Sequence, residues 1–169
     1  SKSYIEYNNL VKQKNEDGFF NLEADKMALK YFMGEVKQNT MFFESYIEKV
    51  KYLIQEGYYF DFLEVYSESE IEKLNEIVKS YRFSFQSFMA ASKFYDTYAL
   101  KTWDRKTFLE DYNERVIATA LFLGQGDFEA AERIARVLTT QEYQPATPTF
   151  LNSGKKQSGE LVSCFLLEI

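Results

Sequence analysis

From Tyr143 to Ile169 the chain reads YQPATPTFLNSGKKQSGELVSCFLLEI. This stretch holds both prolines of the sequence and shows no helical period. Thr147 to Leu151 and Leu161 to Leu167 read as strands, and the turn-rich NSGKKQSG lies between them. Two strands alone are marginal in water, so these require partners. The residues before them are patterned differently, and that contrast sets the expected organisation. A helical body over residues 1–142 is followed by the opening of a strand-containing unit at 143–169.

Working back from that boundary, apolar residues recur at helical spacing. Gly124-Gln125-Gly126-Asp127 stops one helix, and Asp127 caps a second that runs to about Thr140. The glycine pair is no phosphate loop, because Glu129 stands where GxGxxG needs its third glycine and a helix precedes it. Leu109, Tyr112, Val116 and Ala120 mark the helix before it, after a charged break at Asp104-Arg105-Lys106. Phe85, Phe88, Met89, Ser92, Tyr95 and Ala99 line one side of another. Ser67 and Glu70 form an S-x-x-E capping box opening a helix with Ile71, Leu74, Ile77 and Val78 on one face. An aromatic run, YYFDFLEVY, covers Tyr58 to Tyr66. Thr40 is the expected N-cap of a helix through Ile54, ended by Gly57 and carrying Phe42, Phe43, Tyr46, Ile47, Val50, Leu53 and Ile54. Leu22 to Lys37 reads as a helix with Leu22, Met27, Leu29, Tyr31, Phe32 and Val36 as its apolar stripe. The fold class expected is mainly α.

Composition narrows the chemistry. Sixteen Phe and thirteen Tyr in 169 residues supply enough apolar area for a packed interior, which is the expectation in place of disorder. A formal net charge of -6 argues against broad nucleic-acid binding, which needs a basic face, while leaving room for a nucleotide in a local pocket. No apolar run reaches the roughly 18 residues of a membrane span. The start, SKSYIEYNNLVKQK, is polar and reads as no secretory signal. One cysteine permits no internal disulfide, and the expected compartment is the reducing cytoplasm. With no histidine, a His-based triad or His-rich metal site is excluded within this chain. Glu44, Glu48, Glu68, Glu70 and Glu72 are spaced like a solvated helix face rather than a metal site.

Pro145-Ala146-Thr147-Pro148-Thr149-Phe150-Leu151-Asn152, then Gly159-Glu160-Leu161-Val162-Ser163-Cys164-Phe165-Leu166-Leu167, closely resembles the large subunit of ribonucleotide reductase. The shared pattern is a Thr-Pro strand, a basic glycine-containing turn and a strand bearing Ser-Cys. Tyr98-Ala99-Leu100-Lys101 and the Phe-rich helix before it are similar to the family as well. The resemblance is to the bacterial class Ib form, with its shortened N-terminal regulatory region. It implies a helical N-terminal domain leading into the first strands of the family's ten-stranded α/β barrel. Residues 1–50 would then hold a partial, degenerate regulatory cone, with Asp17 to Val36 resembling a fragment of it and no phosphate-cradling motif.

The activity implied is reduction of ribonucleoside diphosphates to deoxyribonucleotides by radical chemistry. On this resemblance Cys164 matches one member of the redox thiol pair, and Thr147 and Ser163 match positions that contact the nucleotide, together with Cys164. Read from the residues alone, Cys164 is equally an ordinary buried thiol in an apolar strand, and Thr147 a strand-end hydroxyl capping a turn. In a regular strand Ser163 and Cys164 point to opposite faces, so at least one meets the substrate through its backbone, for which Ser163 is favoured. The resemblance further implies the remaining barrel, a small radical-generating subunit with a dimetal centre, a thioredoxin-like reductant and nucleotide effectors (ATP, dATP and other dNTPs). An oligomer is expected, with no nucleic-acid or membrane partner and no activity from this chain by itself. The alternative is a non-catalytic helical interaction or regulatory fragment, such as a split-gene product.

Overall fold

The computed structural model describes residues 6, 9, 22–140 and 152–156. The described residues are mainly helical, as the periodicity predicts. The expected strands at Thr147–Leu151 and Leu161–Leu167, and the 142/143 boundary between them and the helical body, lie outside the described residues. The elements are α1 (Leu22–Gln38), α2 (Tyr46–Gln55), a 3-10 turn (Phe62–Glu64), α3 (Glu68–Ser80), α4 (Phe88–Lys93), a π turn (Phe94–Tyr98), α5 (Tyr112–Gly124) and α6 (Phe128–Thr140). Chain contacts divide them into two compact units, one taking the segments up to Met41 and Ser84–Leu109, the other Phe42–Phe83 and Glu110 onward.

In the first unit α1 packs on α4. Its buried face is Asp25, Ala28, Phe32 and Val36, whereas Leu22 and Met27, expected in the apolar stripe, are exposed. Asp25 is inside because its carboxylate accepts the backbone N–H of Phe88 at 3.3 Å, the first residue of α4. That satisfies a donor the helix itself leaves orphaned. Phe32 meets the rings of Phe88 and Tyr95 edge-on, at centroid distances of 5.6 and 5.8 Å. Ser87 caps α4, so Phe85 lies before the helix, and Met89 on its outer side is exposed. Thr40 does not cap α2. Its hydroxyl donates back to Val36 O and its backbone bridges Phe108.

The second unit is built around α5. Nine of its thirteen residues are buried, on every side of the helix, which is the signature of a helix surrounded by others. It packs on α3 and α6, and α3 also meets α2. Gly124 makes the α5–α6 approach close, since a Cβ there would stand 2.9 Å from the Cβ of Ala131. The true N-cap of α2 is Ser45, which accepts from Glu48 N, and the helix therefore begins at Tyr46, after Phe42 and Phe43. The Ser67–Glu70 capping box is present as expected. A second box, Asp111 with Glu114, opens α5. Gln125 and Gly126 take positive φ between α5 and α6, and Asp127 accepts from Ala130 N, as the stop-and-cap reading requires.

Both boxes tie up backbone donors that would otherwise face solvent without a fixed partner. Ser67→Ala is expected to lower the unfolding free energy by about 1 kcal/mol, and Asp111→Ala by a comparable amount. Urea unfolding followed by circular dichroism checks this; unchanged midpoints would show that the caps contribute nothing.

Candidate functional site

Within the second unit, five described residues of the basic turn, Asn152 to Lys156, are seated on the helical body. Lys156 N–H donates to Tyr58 O at 3.2 Å, and Tyr59 and Lys155 form an antiparallel bridge. Ser153, Gly154 and Lys155 are buried. Gly154 takes φ +87°, and a Cβ there would come 2.9 Å from Ala118 O on α5, so glycine answers both the backbone angle and the space. These residues belong to the turn of the Thr-Pro/turn/Ser-Cys pattern.

A buried polar cluster fixes it from below. Arg115 on α5 and Glu110, just before the helix, are both fully buried, with Arg115 Nη1 3.3 Å from Glu110 Oε1. Arg115 Nη2 donates to Ser153 O at 2.8 Å. The Tyr59 hydroxyl donates to the other oxygen of Glu110. The bonds close into a loop: the turn to the Tyr58–Tyr59 backbone, the Tyr59 ring to Glu110, Glu110 to Arg115, and Arg115 back to the turn. The remaining Arg115 nitrogens, Nε and Nη1, and the Tyr46 hydroxyl have no hydrogen-bond partner among the described residues. The Nη1 contact is therefore a charge contact rather than an aligned bond.

Next to this cluster, Lys49 of α2 grips both oxygens of Glu114 at 2.8 and 2.9 Å. Glu114 also accepts from Asp111 N, so one carboxylate serves an ion pair and a capping box. Burial first, and the Asp111 charge second, raise the Glu114 pKa, with Lys49 opposing. Burial likewise holds Tyr46 and Tyr59 well above the usual phenol range, with Glu114 adding to the first and Glu110 to the second. The arrangement is a buried polar mount. It has the chemistry to hold a chain segment in place, and no described group is poised to attack or to transfer a proton.

Cys164, Thr147 and Ser163 lie outside the described residues. Among the described residues no group of three His, Cys, Asp or Glu side chains is arranged to hold a metal ion. None of their helices is long and apolar enough to cross a membrane. The described part of the expected regulatory fragment, α1, presents its inner face to α4. The Glu110–Arg115 and Lys49–Glu114 pairs were not singled out from the sequence. The available signal was a carboxylate and a guanidinium at the mouth of a helix apolar on all sides.

Two family models match in succession, described as "Ribonucleotide reductase N-terminal" over residues 4–83 and "Ribonucleotide reductase, all-alpha domain" over 84–158. The chain belongs to the ribonucleotide reductase family. The ribonucleoside-diphosphate reductase NrdEB subunit alpha of Bacillus subtilis (strain 168) is 48% identical over 168 residues, covering 95% of this chain and 16% of that protein. A ribonucleoside-diphosphate reductase subunit alpha of the same organism is 46% identical over 98% of this chain and 24% of its own length. That of Mycoplasma genitalium is 41% identical over 99% and 23%. The chain thus spans a quarter or less of these reductase subunits, and corresponds to their N-terminal region. The all-α ribonucleotide reductase domain agrees with the helical architecture.

The buried phenols give the mount an alkaline limit. Burial pushes Tyr112 up to about 12, so the unfolded chain sheds this proton near pH 10 while the folded chain keeps it. The folded state then binds more protons, and stability falls as pH rises between 10 and about 12, by about 1.4 kcal/mol per pH unit for each such tyrosine. Tyr112→Phe loses the hydroxyl bond to Leu138 O, lowering stability at pH 8, yet its stability is expected to fall less steeply from pH 9 to pH 11. Denaturant midpoints at the three pH values check this, and parallel slopes for variant and wild type would refute it.

Proposed function

We propose that this chain works as the N-terminal part of a ribonucleoside-diphosphate reductase large subunit, converting ribonucleoside diphosphates to deoxyribonucleotides for DNA synthesis in the cytoplasm. The observation that carries this reading is the succession of two reductase family models over residues 4–158, ending in the anchored turn of the family's Thr-Pro/Ser-Cys pattern. Identity above 40% to named reductase alpha subunits along nearly the whole chain supports it.

The chemistry asks for two electrons and a binding surface for the diphosphate. In the proposed scheme Cys164 and a second thiol supplied by another part of the subunit close to a disulfide. Two S–H bonds are spent, the ribose 2′-hydroxyl leaves as water, and hydrogen takes its place, so atoms and electrons balance. Thr147 and Ser163 hold the nucleotide, Thr147 through its hydroxyl or backbone N–H and Ser163 through its backbone. The family's partners complete the scheme: the remaining barrel closing the site, a small subunit whose dimetal centre generates the radical, a thioredoxin-like reductant that reopens the disulfide, and nucleotide effectors such as ATP and dATP.

Cys164→Ser, placed in a full-length subunit with its small subunit, is expected to keep nucleoside diphosphate affinity near wild type, because a hydroxyl replaces a thiol of similar size. Multiple-turnover reduction is expected to be lost, because serine forms no disulfide. Deoxynucleotide formed per enzyme, alongside the substrate dissociation constant, checks both halves. Wild-type turnover by the variant would reduce Cys164 to an apolar residue and remove the mechanism.

A further inference from the structure

We infer that Arg115 and Gly154 are positioning residues for the reductase reaction: they hold the Asn152–Lys156 turn against α5, and through it the two chain segments that carry the nucleotide contacts and the redox thiol. The inference rests on the reductase reading above.

The geometry argues for a mount and not for simple packing. Ordinary loops lie on the surface, where water satisfies their backbone groups. Here three consecutive residues, Ser153, Gly154 and Lys155, are buried, and the carbonyl of the first is bound by a fully buried guanidinium. Burying such a group is unfavourable unless its partners are fixed, and Glu110 and the Ser153 carbonyl are the partners found. A planar guanidinium can reach a carboxylate on one nitrogen and a carbonyl on another in one rigid fork, which an ammonium on a flexible stem cannot do. Gly154 contributes by lacking a side chain, so that the turn lies directly on the Ala118 carbonyl. The third hold is Lys156 N–H on Tyr58 O, a strand-like pairing independent of the other two.

Thr147 stands five residues before Asn152, and Ser163 seven after Lys156. Covalent reach therefore ties both segments to the seated turn, one on each side. Displacement of a reacting group by about 1 Å can cost on the order of a hundredfold in rate. A turn loosened on α5 would no longer fix where these two segments join the helical body, and in the proposed reaction the diphosphate contact and the thiol must keep fixed positions.

The test places Arg115→Lys and Gly154→Ala separately in the full-length subunit, assayed with its small subunit and cytidine diphosphate. Gly154→Ala unseats the turn without leaving a buried carboxylate unpaired, so it keeps the question open if Arg115→Lys fails to fold. Hydrogen exchange at the 152–156 amides reads the seating, circular dichroism reads the helical body, and kcat and KM are obtained separately. Expected for each folded variant are faster exchange at the Lys156 amide, unchanged helix content, and kcat/KM lower by on the order of a hundredfold with the loss mainly in kcat. Tyr46→Phe, which alters a neighbouring hydroxyl not bonded to the turn, is expected to show wild-type kinetics. Faster exchange with wild-type kcat and KM would overturn the inference and leave the reductase reading standing. Unchanged exchange in both variants would also overturn it, since the contacts would then not hold the turn. A wild-type subunit that makes no deoxynucleotide would overturn the reading itself, and the inference with it.

Discussion

A carboxylate and a guanidinium sealed from water impose terms on everything around them. Glu110 and Arg115 are both fully buried, and removing one partner of such a pair costs about 3–5 kcal/mol because the other is left charged in a poor solvent. Glu110 is therefore engaged on both oxygens, by Tyr59 and by Arg115, and Arg115 must find a further acceptor. The acceptor it finds is Ser153, 38 positions on in sequence. The pair thus joins the Tyr58–Tyr66 aromatic run, the start of α5 and the basic turn at one point. The largely apolar remainder of α5 supplies buried neighbours around this point.

The second pair, Lys49 with Glu114, does comparable work at the same carboxylate-rich entry to α5. Glu114 is part of the helix cap as well as the ion pair, so α2 is docked onto a group whose position the helix start already fixes. A charge pair pinned by a capping box loses less side-chain freedom on forming than one between two free side chains, and that loss is what makes many surface pairs weak. Polar contacts from Lys49 and Tyr59 thus meet the entry to α5, and hydrophobic periodicity alone does not foretell that.

Residues whose role depends on local chemistry were legible in the sequence. The Ser67–Glu70 box and the Gly124–Asp127 stop each arise from a few adjacent residues and their hydrogen bonding. Residues whose role depends on partners distant in sequence were not. Thr40 and Ser45 are both good N-caps, and only the tie of Thr40 to Phe108 decides between them. Met27, expected in the apolar stripe, is exposed, while Asp25 on the same helix is buried because it answers the orphan N–H of Phe88, 63 positions away. The charge pairs at α5 were silent for the same reason. The family pattern, by contrast, was carried by the 145–167 stretch, of which the described residues include only the turn.

The π turn at Phe94–Tyr98 bears on how this domain tolerates insertion and deletion. Ala99 N–H reaches back to Phe94 O, five residues, where an α-helix reaches four. Such a wide turn holds one residue more than a regular helical turn. The chain leaves the helix immediately after the wide turn, at Ala99, whose ψ of 136° is extended. Ala99 and Leu100 then fall to the inside, with Leu100 O placed to receive Leu109 N–H. Loss of a single residue here would shorten the chain before the pairing of Leu100 O with Leu109 N–H, so a more ordinary helix would come with a strained or broken link between Leu100 and Leu109.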